Sequence, residues 1–169
     1  SKSSPKGSIA SFATSGKKQC KKDLARIALS IPNVYVAQVS LGANMIQFIK
    51  ALKEAEAHIG PSIIIAYSTC ISHGIKGGMQ NSLEMQRKAV QCGYYPIFRY
   101  NPLNDKFILD SKNVDFDLYD EFLNSQTRYS ALKKICDDAD SLLKSNKEEA
   151  IKRYKYYKSL ESSSGNNEI

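Results

Sequence analysis

The chain has 169 residues, 42% hydrophobic and 24% charged, an ordinary globular balance in a length that can bury a core, and one domain is the default. No apolar run approaches the roughly 20 residues of a membrane span, and Ser1 to Gly7 is polar and basic with no apolar signal region, which argues against a membrane-embedded or secreted protein. The formal net charge of +7 invites a nucleic-acid reading, but the lysines and arginines fall mainly in Lys17 to Lys22 and along Lys144 to Lys158, where solvated helix faces and a basic entry segment account for them.

In chain order, Ser1 to Lys22 is small and polar with Ile9, Ala10, Phe12 and Ala13 in its middle, and reads as a loop or short helix tucked against a neighbour. Lys22 to Ile31 has helical spacing with Leu24, Ile27 and Ala28 on one face, stopped by Pro32. Asn33 to Val39 has strand chemistry, and Met45, Phe48, Ile49 and Leu52 then form a helical stripe that ends near Gly60-Pro61. The next segment, Ile63 to Tyr67, is short, apolar and mostly β-branched, and predicts a central strand buried on both faces. Strand, helix, strand is the order of a right-handed parallel crossover.

Loops leaving the carboxyl ends of such strands form the functional crevice of open α/β sheets. Here that loop carries Ser68, Thr69, Cys70, Ser72, His73 and Lys76 before it closes on glycines. Gln80 to Cys92 then predicts a helix capped by Asn81 or Ser82 and ended by Gly93, Tyr95 to Tyr100 a strand, and Phe107 to Asp110 a short strand paired with it. From Asp117 the pattern is helical through Leu118, Phe122, Leu132, Ile135, Ala139, Leu142, Ile151, Tyr154 and Tyr157 to about Leu160, and Ser162 to Ile169 has the composition of a linker or tail.

The four cysteines, Cys20, Cys70, Cys92 and Cys136, are widely spaced, so the chain holds no complete zinc or iron–sulfur site, and a reduced setting suits them. A lone cysteine beside a buried strand ordinarily packs as a small apolar side chain. His73 in a polar loop reads as a hydrogen-bonding residue or a proton donor, Lys76 with Gly74, Gly77 and Gly78 as a turn or a phosphate cradle, and Lys152 to Lys158 as a docked helix or a nucleotide-stacking surface.

The string Y-S-T-C-I-S-H-G-I-K-G-G-M, with V-Y-V-A-Q-V-S-L-G-A-N and A-L-K-E-A-E-A-H-I-G-P-S before it and G-Y-Y-P-I-F-R-Y-N-P-L, F-I-L-D-S-K and R-Y-S-A-L-K-K after it, resembles the carboxyl-terminal part of the pyruvate:ferredoxin (flavodoxin) oxidoreductase family. That family oxidatively decarboxylates pyruvate with thiamine pyrophosphate, Mg2+ and 4Fe-4S clusters and passes the acetyl group to coenzyme A. The resemblance implies an α/β fold, the latter part of a thiamine-diphosphate-binding domain with a parallel, Rossmann-like sheet and a helical carboxyl-terminal extension. The division it suggests is 1–116 for the partial α/β domain, 117–161 for the helical extension and 162–169 for a flexible linker or tail.

The resemblance also assigns Cys70 as the isolated ligand of the 4Fe-4S cluster nearest the thiamine, the other three ligands lying in residues that precede these. Thr69 and Ser72 stand where proline and asparagine are expected in many relatives. The G-D-G stretch that anchors magnesium and diphosphate, and the N-T-G-G-Q motif, are absent from the sequence, so the chain is expected to be an inactive fragment that holds none of these cofactors tightly alone. Implied partners are the remainder of the parent polypeptide, ferredoxin, flavodoxin or a fused flavin reductase domain delivering electrons to NADP, and a second copy in a homodimer. No nucleic acid or membrane is implied, and the setting is cytoplasmic or a mitochondrion-related organelle. A stand-alone basic α/β binding module for a protein or nucleic-acid partner is the other reading that the residues allow.

Overall fold

A computed structural model describes residues 4–71 and 74–164 of the chain. Ser72, His73, the first three residues and the last five of the expected tail lie outside the described residues. Helix α1 (Leu24–Leu29) starts where the Asp23 carboxylate accepts the Arg26 N–H, and α2 (Met45–Ala57) where the Asn44 side chain accepts the Gln47 N–H, so each has a side-chain cap for an otherwise unpaired amide. Between them runs β1 (Tyr35–Val39), and after α2 comes β2 (Ser62–Ala66). Helix α3 (Ser82–Gln91), strands β3 (Phe98–Asn101) and β4 (Lys106–Leu109), helices α4 (Tyr119–Ser125) and α5 (Thr127–Ser130), and the long α6 (Ala139–Ser164) complete the order.

The sheet order is β2-β1-β3-β4. β1 and β2 are parallel, Tyr35 facing Ser62 and Val39 facing Ala66, as the crossover reading expects, and β3 with β4 forms a hairpin antiparallel to β1. The class is α/β with a helical carboxyl-terminal part, and the sheet is mixed, parallel where the crossover lies. One expectation is corrected: β2 is the edge strand and β1 the central one. Every residue of β1 is buried, whereas Ile63, Ile64 and Ile65 are half-buried and Ser62 and Ala66 exposed. The isoleucine run has the chemistry of two-sided burial, and the strands of this chain flank it on one side only.

Alternation along the strands feeds two cores. Val36, Phe98, Phe107 and Leu109 pack with Ala25 and Ala28 of α1 and with Tyr154 and Tyr157 of α6, and Tyr35, Ala37 and Val39 pack with Phe48 and Ala51 of α2. Here too the structure corrects the sequence reading. α1 and α2 press their small residues, Ala25, Ala28 and Ala51, on the sheet, and turn Leu24, Ile27, Met45, Ile46, Ile49 and Leu52 outward. A third core gathers Tyr94, Tyr95, Tyr119, Phe122, Tyr129 and Leu132 beneath α3 to α6.

Gly93 ends α3 at φ +76°, where a side chain would be strained and its Cβ would meet Phe116 and Val114 at 2.5 and 2.6 Å. Helix α6 continues through Ser162, Ser163 and Ser164, which the tail reading had placed outside it. Its end docks on the outer edge of β4, the Ser164 hydroxyl accepting the Phe107 N–H and the Glu161 carboxylate the Leu109 N–H, so packing overrides the serine-rich composition.

Candidate functional site

The ladder of β2 runs one bond past the strand, Tyr67 N–H to Val39 carbonyl at 2.9 Å, and the chain then leaves the sheet at its carboxyl edge. Thr69 is buried, and its Oγ1 lies 2.6 Å from the Ser82 hydroxyl at the start of α3. A hydroxyl anchor thus stands at the position where the resemblance expects proline. Cys70 is exposed, and its thiol makes no hydrogen bond among the described residues. The turn closes as the Gly74 N–H donates to the carbonyls of Cys70 and Ile71, both at 3.2 Å.

The far side of the loop is clamped to a distant segment. Lys76 N–H donates to the Ser125 carbonyl at 3.0 Å, Thr127 N–H to the Gly74 carbonyl at 3.3 Å, and Ile75 bridges Gln126. Gly74 makes this possible: it sits at φ +64°, and a Cβ there would lie 2.9 Å from the Thr127 hydroxyl. The same bonds decide the Lys76 reading. The Lys76 and Gly78 amides are already given to the Ser125 and Ile75 carbonyls, so the glycine stretch is a turn rather than an open phosphate cradle.

Behind the loop lies a group of aromatic rings around one arginine. The Tyr67 ring rests 4.9 Å from Tyr95 and 6.2 Å from Tyr94, and burial pushes the Tyr67 phenol well above its ordinary pKa. Tyr94 and Tyr129 hydroxyls lie 2.9 Å apart, and Arg128 Nη2 donates to the Tyr94 hydroxyl at 2.8 Å. The guanidinium also sits 5.1 Å from the Tyr129 ring. Burial works against the Arg128 charge, but the oxygens of Tyr94, Tyr129 and Tyr67 and the sulfur of Cys70 outweigh it and hold its pKa above the usual guanidinium value. Among the described residues, Ser40 Oγ at the carboxyl end of β1, Gln126 Nε2 and Arg128 Nε are buried without a partner.

The other cysteines stand elsewhere. Cys20 is exposed and donates to Glu149, Cys136 is half-buried, and Cys92 is fully buried, its thiol pushed up to about 12 by burial. Among the described residues no three histidine, cysteine or acidic side chains gather as a metal site. Cys70 thus differs from the exposed Cys20 in having a thiol that makes no hydrogen bond among the described residues. Within Lys152 to Lys158, Tyr154 and Tyr157 lie on the docked face of α6, Tyr154 donating to the Ser111 carbonyl and Tyr157 to both Asp23 oxygens, while the three lysines are exposed, the pattern of a docked amphipathic helix. Sequence reasoning missed Gln126, Arg128 and Tyr94. The signal was there in R-Y-S-A-L-K-K and G-Y-Y, but nothing in spacing says that these segments meet. No helix among the described residues is long and apolar enough to cross a membrane.

No protein-family model matches the chain. Among curated proteins it is 42% identical over 166 residues to the pyruvate-flavodoxin oxidoreductase of Klebsiella pneumoniae, a match that covers 95% of this chain and 14% of that protein. The pyruvate:ferredoxin oxidoreductase of Moorella thermoacetica is 43% identical over 95% of the chain and 14% of its own length. The mitochondrial pyruvate dehydrogenase [NADP(+)] of Euglena gracilis is 43% identical over 86% of the chain and 8% of its own length. Identity at this level over almost every described element, in proteins of which the chain spans about one-seventh or less, makes it a homologue of one segment of the pyruvate-flavodoxin, pyruvate:ferredoxin and NADP-dependent pyruvate oxidoreductases.

Proposed function

We propose that the chain is the segment of a pyruvate:ferredoxin/flavodoxin or NADP oxidoreductase that supplies one thiolate, Cys70, to a 4Fe-4S cluster and walls a thiamine pyrophosphate site with the loop after β2. The observation that carries this reading is the Cys70 thiol, exposed and unbonded at the carboxyl edge of the sheet, on a loop tied to α3 through Thr69 and to residues 125–127 through Gly74 and Lys76. Cluster ligands need not be adjacent in sequence, but each must be rigid, and a loop hydrogen-bonded on both sides of the ligand meets that need.

Bound at this loop, the cluster supplies one-electron acceptance during the oxidative decarboxylation of pyruvate to acetyl-CoA. The residues of this chain hold and orient it. Cys70 binds one iron, Thr69 fixes the backbone before it, and Gly74 lets the chain turn close against Thr127. The chain carries no G-D-G or N-T-G-G-Q, so magnesium and the diphosphate are held by residues outside these 169, and three further cluster ligands come from there too. The electron acceptor is ferredoxin, flavodoxin or a fused flavin reductase domain, and the intact protein is a homodimer of the cytoplasm or of a mitochondrion-related organelle.

The test is a set of four substitutions in the full-length enzyme, Cys70→Ser with Cys20→Ser, Cys92→Ser and Cys136→Ser. Serine nearly preserves volume but is a harder ligand that gives up its proton less readily. Iron and sulfide content, electron paramagnetic resonance and pyruvate-dependent dye reduction should change in Cys70→Ser alone, with pyruvate binding retained. A native cluster signal and full turnover in Cys70→Ser would overturn the assignment.

A further inference from the structure

We infer that Arg128 and Gln126 form the donor side of the site that Cys70 anchors, giving hydrogen bonds and positive charge to the sulfurs of the bound cluster and thereby setting its reduction potential. The inference rests on the ligand role proposed above for Cys70. Three observations meet in it.

Arg128 is a partly buried cation with no carboxylate partner among the described residues. It donates to the neutral Tyr94 hydroxyl, faces the Tyr129 ring, and leaves Nε buried without an acceptor. Charges taken out of water are normally paired, so a guanidinium whose polar contacts are a phenol and a ring face calls for an anion from elsewhere. Arg99 holds two carboxylates and Arg87 one, Arg26 lies over the Tyr156 ring and Arg153 donates to the Tyr94 carbonyl; among the described arginines Arg128 is the one with a buried nitrogen that has no acceptor.

Gln126, two residues away, is 3% exposed, and its Nε2 also lacks an acceptor. A buried amide donor without a partner is uncommon in native proteins and points to a ligand or water that is yet to arrive. Both orphan atoms are donors, so they select an acceptor rather than a cation.

The third observation is position. Residues 125–127 are the ones bonded to the Cys70 loop at Gly74, Ile75 and Lys76. Orphan donors and an unbonded thiol thus belong to one clamped unit. A cluster ligated by thiolates is anionic overall and its sulfurs accept N–H bonds, so a cation and N–H donors beside it favour the reduced state, which carries one more electron. A diphosphate would also accept from these donors, but the backbone clamp that joins residues 125–127 to the Cys70 loop favours the cluster.

The experiment uses the full-length, cluster-loaded enzyme with Arg128→Met, Arg128→Lys and Gln126→Met, and measures iron and sulfide content, a mediated potentiometric titration followed by electron paramagnetic resonance, and thiamine pyrophosphate binding by calorimetry. Arg128→Met should lower the potential enough to cut the reduced-to-oxidised ratio at fixed potential about tenfold, about 59 mV for a one-electron couple. Arg128→Lys should recover most of that shift through its charge, and Gln126→Met should show a smaller fall. If Arg128→Met does not load, Gln126→Met decides alone, since replacing an unpaired buried donor by an apolar side chain of similar shape leaves the fold intact. Wild-type potentials in the loaded variants would overturn the inference, as would weakened thiamine pyrophosphate binding at an unchanged potential, which would assign the donors to the diphosphate. A Cys70→Ser enzyme that keeps its native cluster would instead overturn the ligand assignment, so the two failures are told apart.

Discussion

Arg99 donates through Nε and Nη2 to the two carboxylate oxygens of Asp110, at 3.0 and 2.9 Å, in a planar fork that ties β3 to the residue after β4. Its remaining Nη1 reaches Glu54 on α2 at 2.5 Å, and Tyr35 and Gln47 complete the acids' bonds at 2.9 and 3.0 Å. The network pins α2 to the sheet. Asp110→Ala leaves Arg99 with Glu54 alone and its Nε and Nη2 without acceptors, so it should cost about 2 kcal/mol in urea unfolding. Arg99→Lys should lose a similar amount although it keeps the charge, because an ammonium cannot make the fork. A cost below about 1 kcal/mol would show the pair to be no better than a surface one.

Lys21 lies over the Tyr95 ring, and burial, with Arg153 close by, pushes its amine down to about 8 from the ordinary 10.5. Below about pH 8 the amine is charged in both states, and the folded one bears the full burial penalty; above about pH 10.5 it is neutral in both. The unfolded chain binds more protons between these limits, so the Lys21 contribution to stability rises with pH across that window. Lys21→Met should therefore stabilise the protein by about 2 kcal/mol near neutral pH and by much less near pH 10. Urea titrations of both proteins at the two pH values check this, and an equal gain at both would refute it.

Thiol reactivity should follow exposure and ionisation. Cys70 and Cys20 are exposed, Cys136 is half-buried, and Cys92 is buried with its pKa raised to about 12. Brief treatment of the native chain with iodoacetamide, followed by peptide mapping, should modify Cys70 and Cys20 first and Cys92 only after unfolding. Early modification of Cys92 would mean that α3 opens readily.

Met45, Ile46, Ile49 and Leu52 on the outer face of α2 and Leu24, Ile27 and Ile31 around α1 are exposed, on the two sides of a sheet whose β2 edge is itself unpaired. Apolar surface of this extent drives association. The isolated chain should self-associate in sedimentation velocity at micromolar concentration, and Ile46→Lys with Ile49→Glu should return it toward monomer with little loss of stability. Monomeric behaviour of the unsubstituted chain would contradict the expectation.

Local signals were the legible ones. Gly93 and the Pro61 boundary place the end of α3 and the start of β2 within a residue or two, because each depends on its own neighbours. Which side of a helix faces inward was not legible for α1 and α2. Their large apolar residues suit a partner that these 169 residues do not contain, so hydrophobicity pointed away from the core that is present. The same reason made β2 look central. Cys70 was visible as a loop residue through strand boundaries and its motif, whereas Arg128 and Gln126 lie more than 50 positions further on, and only the backbone bonds at Gly74 and Lys76 bring them to it.

Those bonds also bear on the order in which the molecule is assembled. Joining residues 74–76 to 125–127 closes a loop of about 50 residues, for which the chain-entropy cost is of the order of 3 kcal/mol before any contact repays it. Tyr67 can join the β1–β2 ladder early, since only the crossover helix separates the two strands. The turn beyond Cys70 cannot become rigid until α4 and α5 have docked. The thiol therefore acquires its fixed direction late, after the sheet has formed, and under the ligand role proposed for Cys70 cluster insertion would follow folding of this segment rather than guide it.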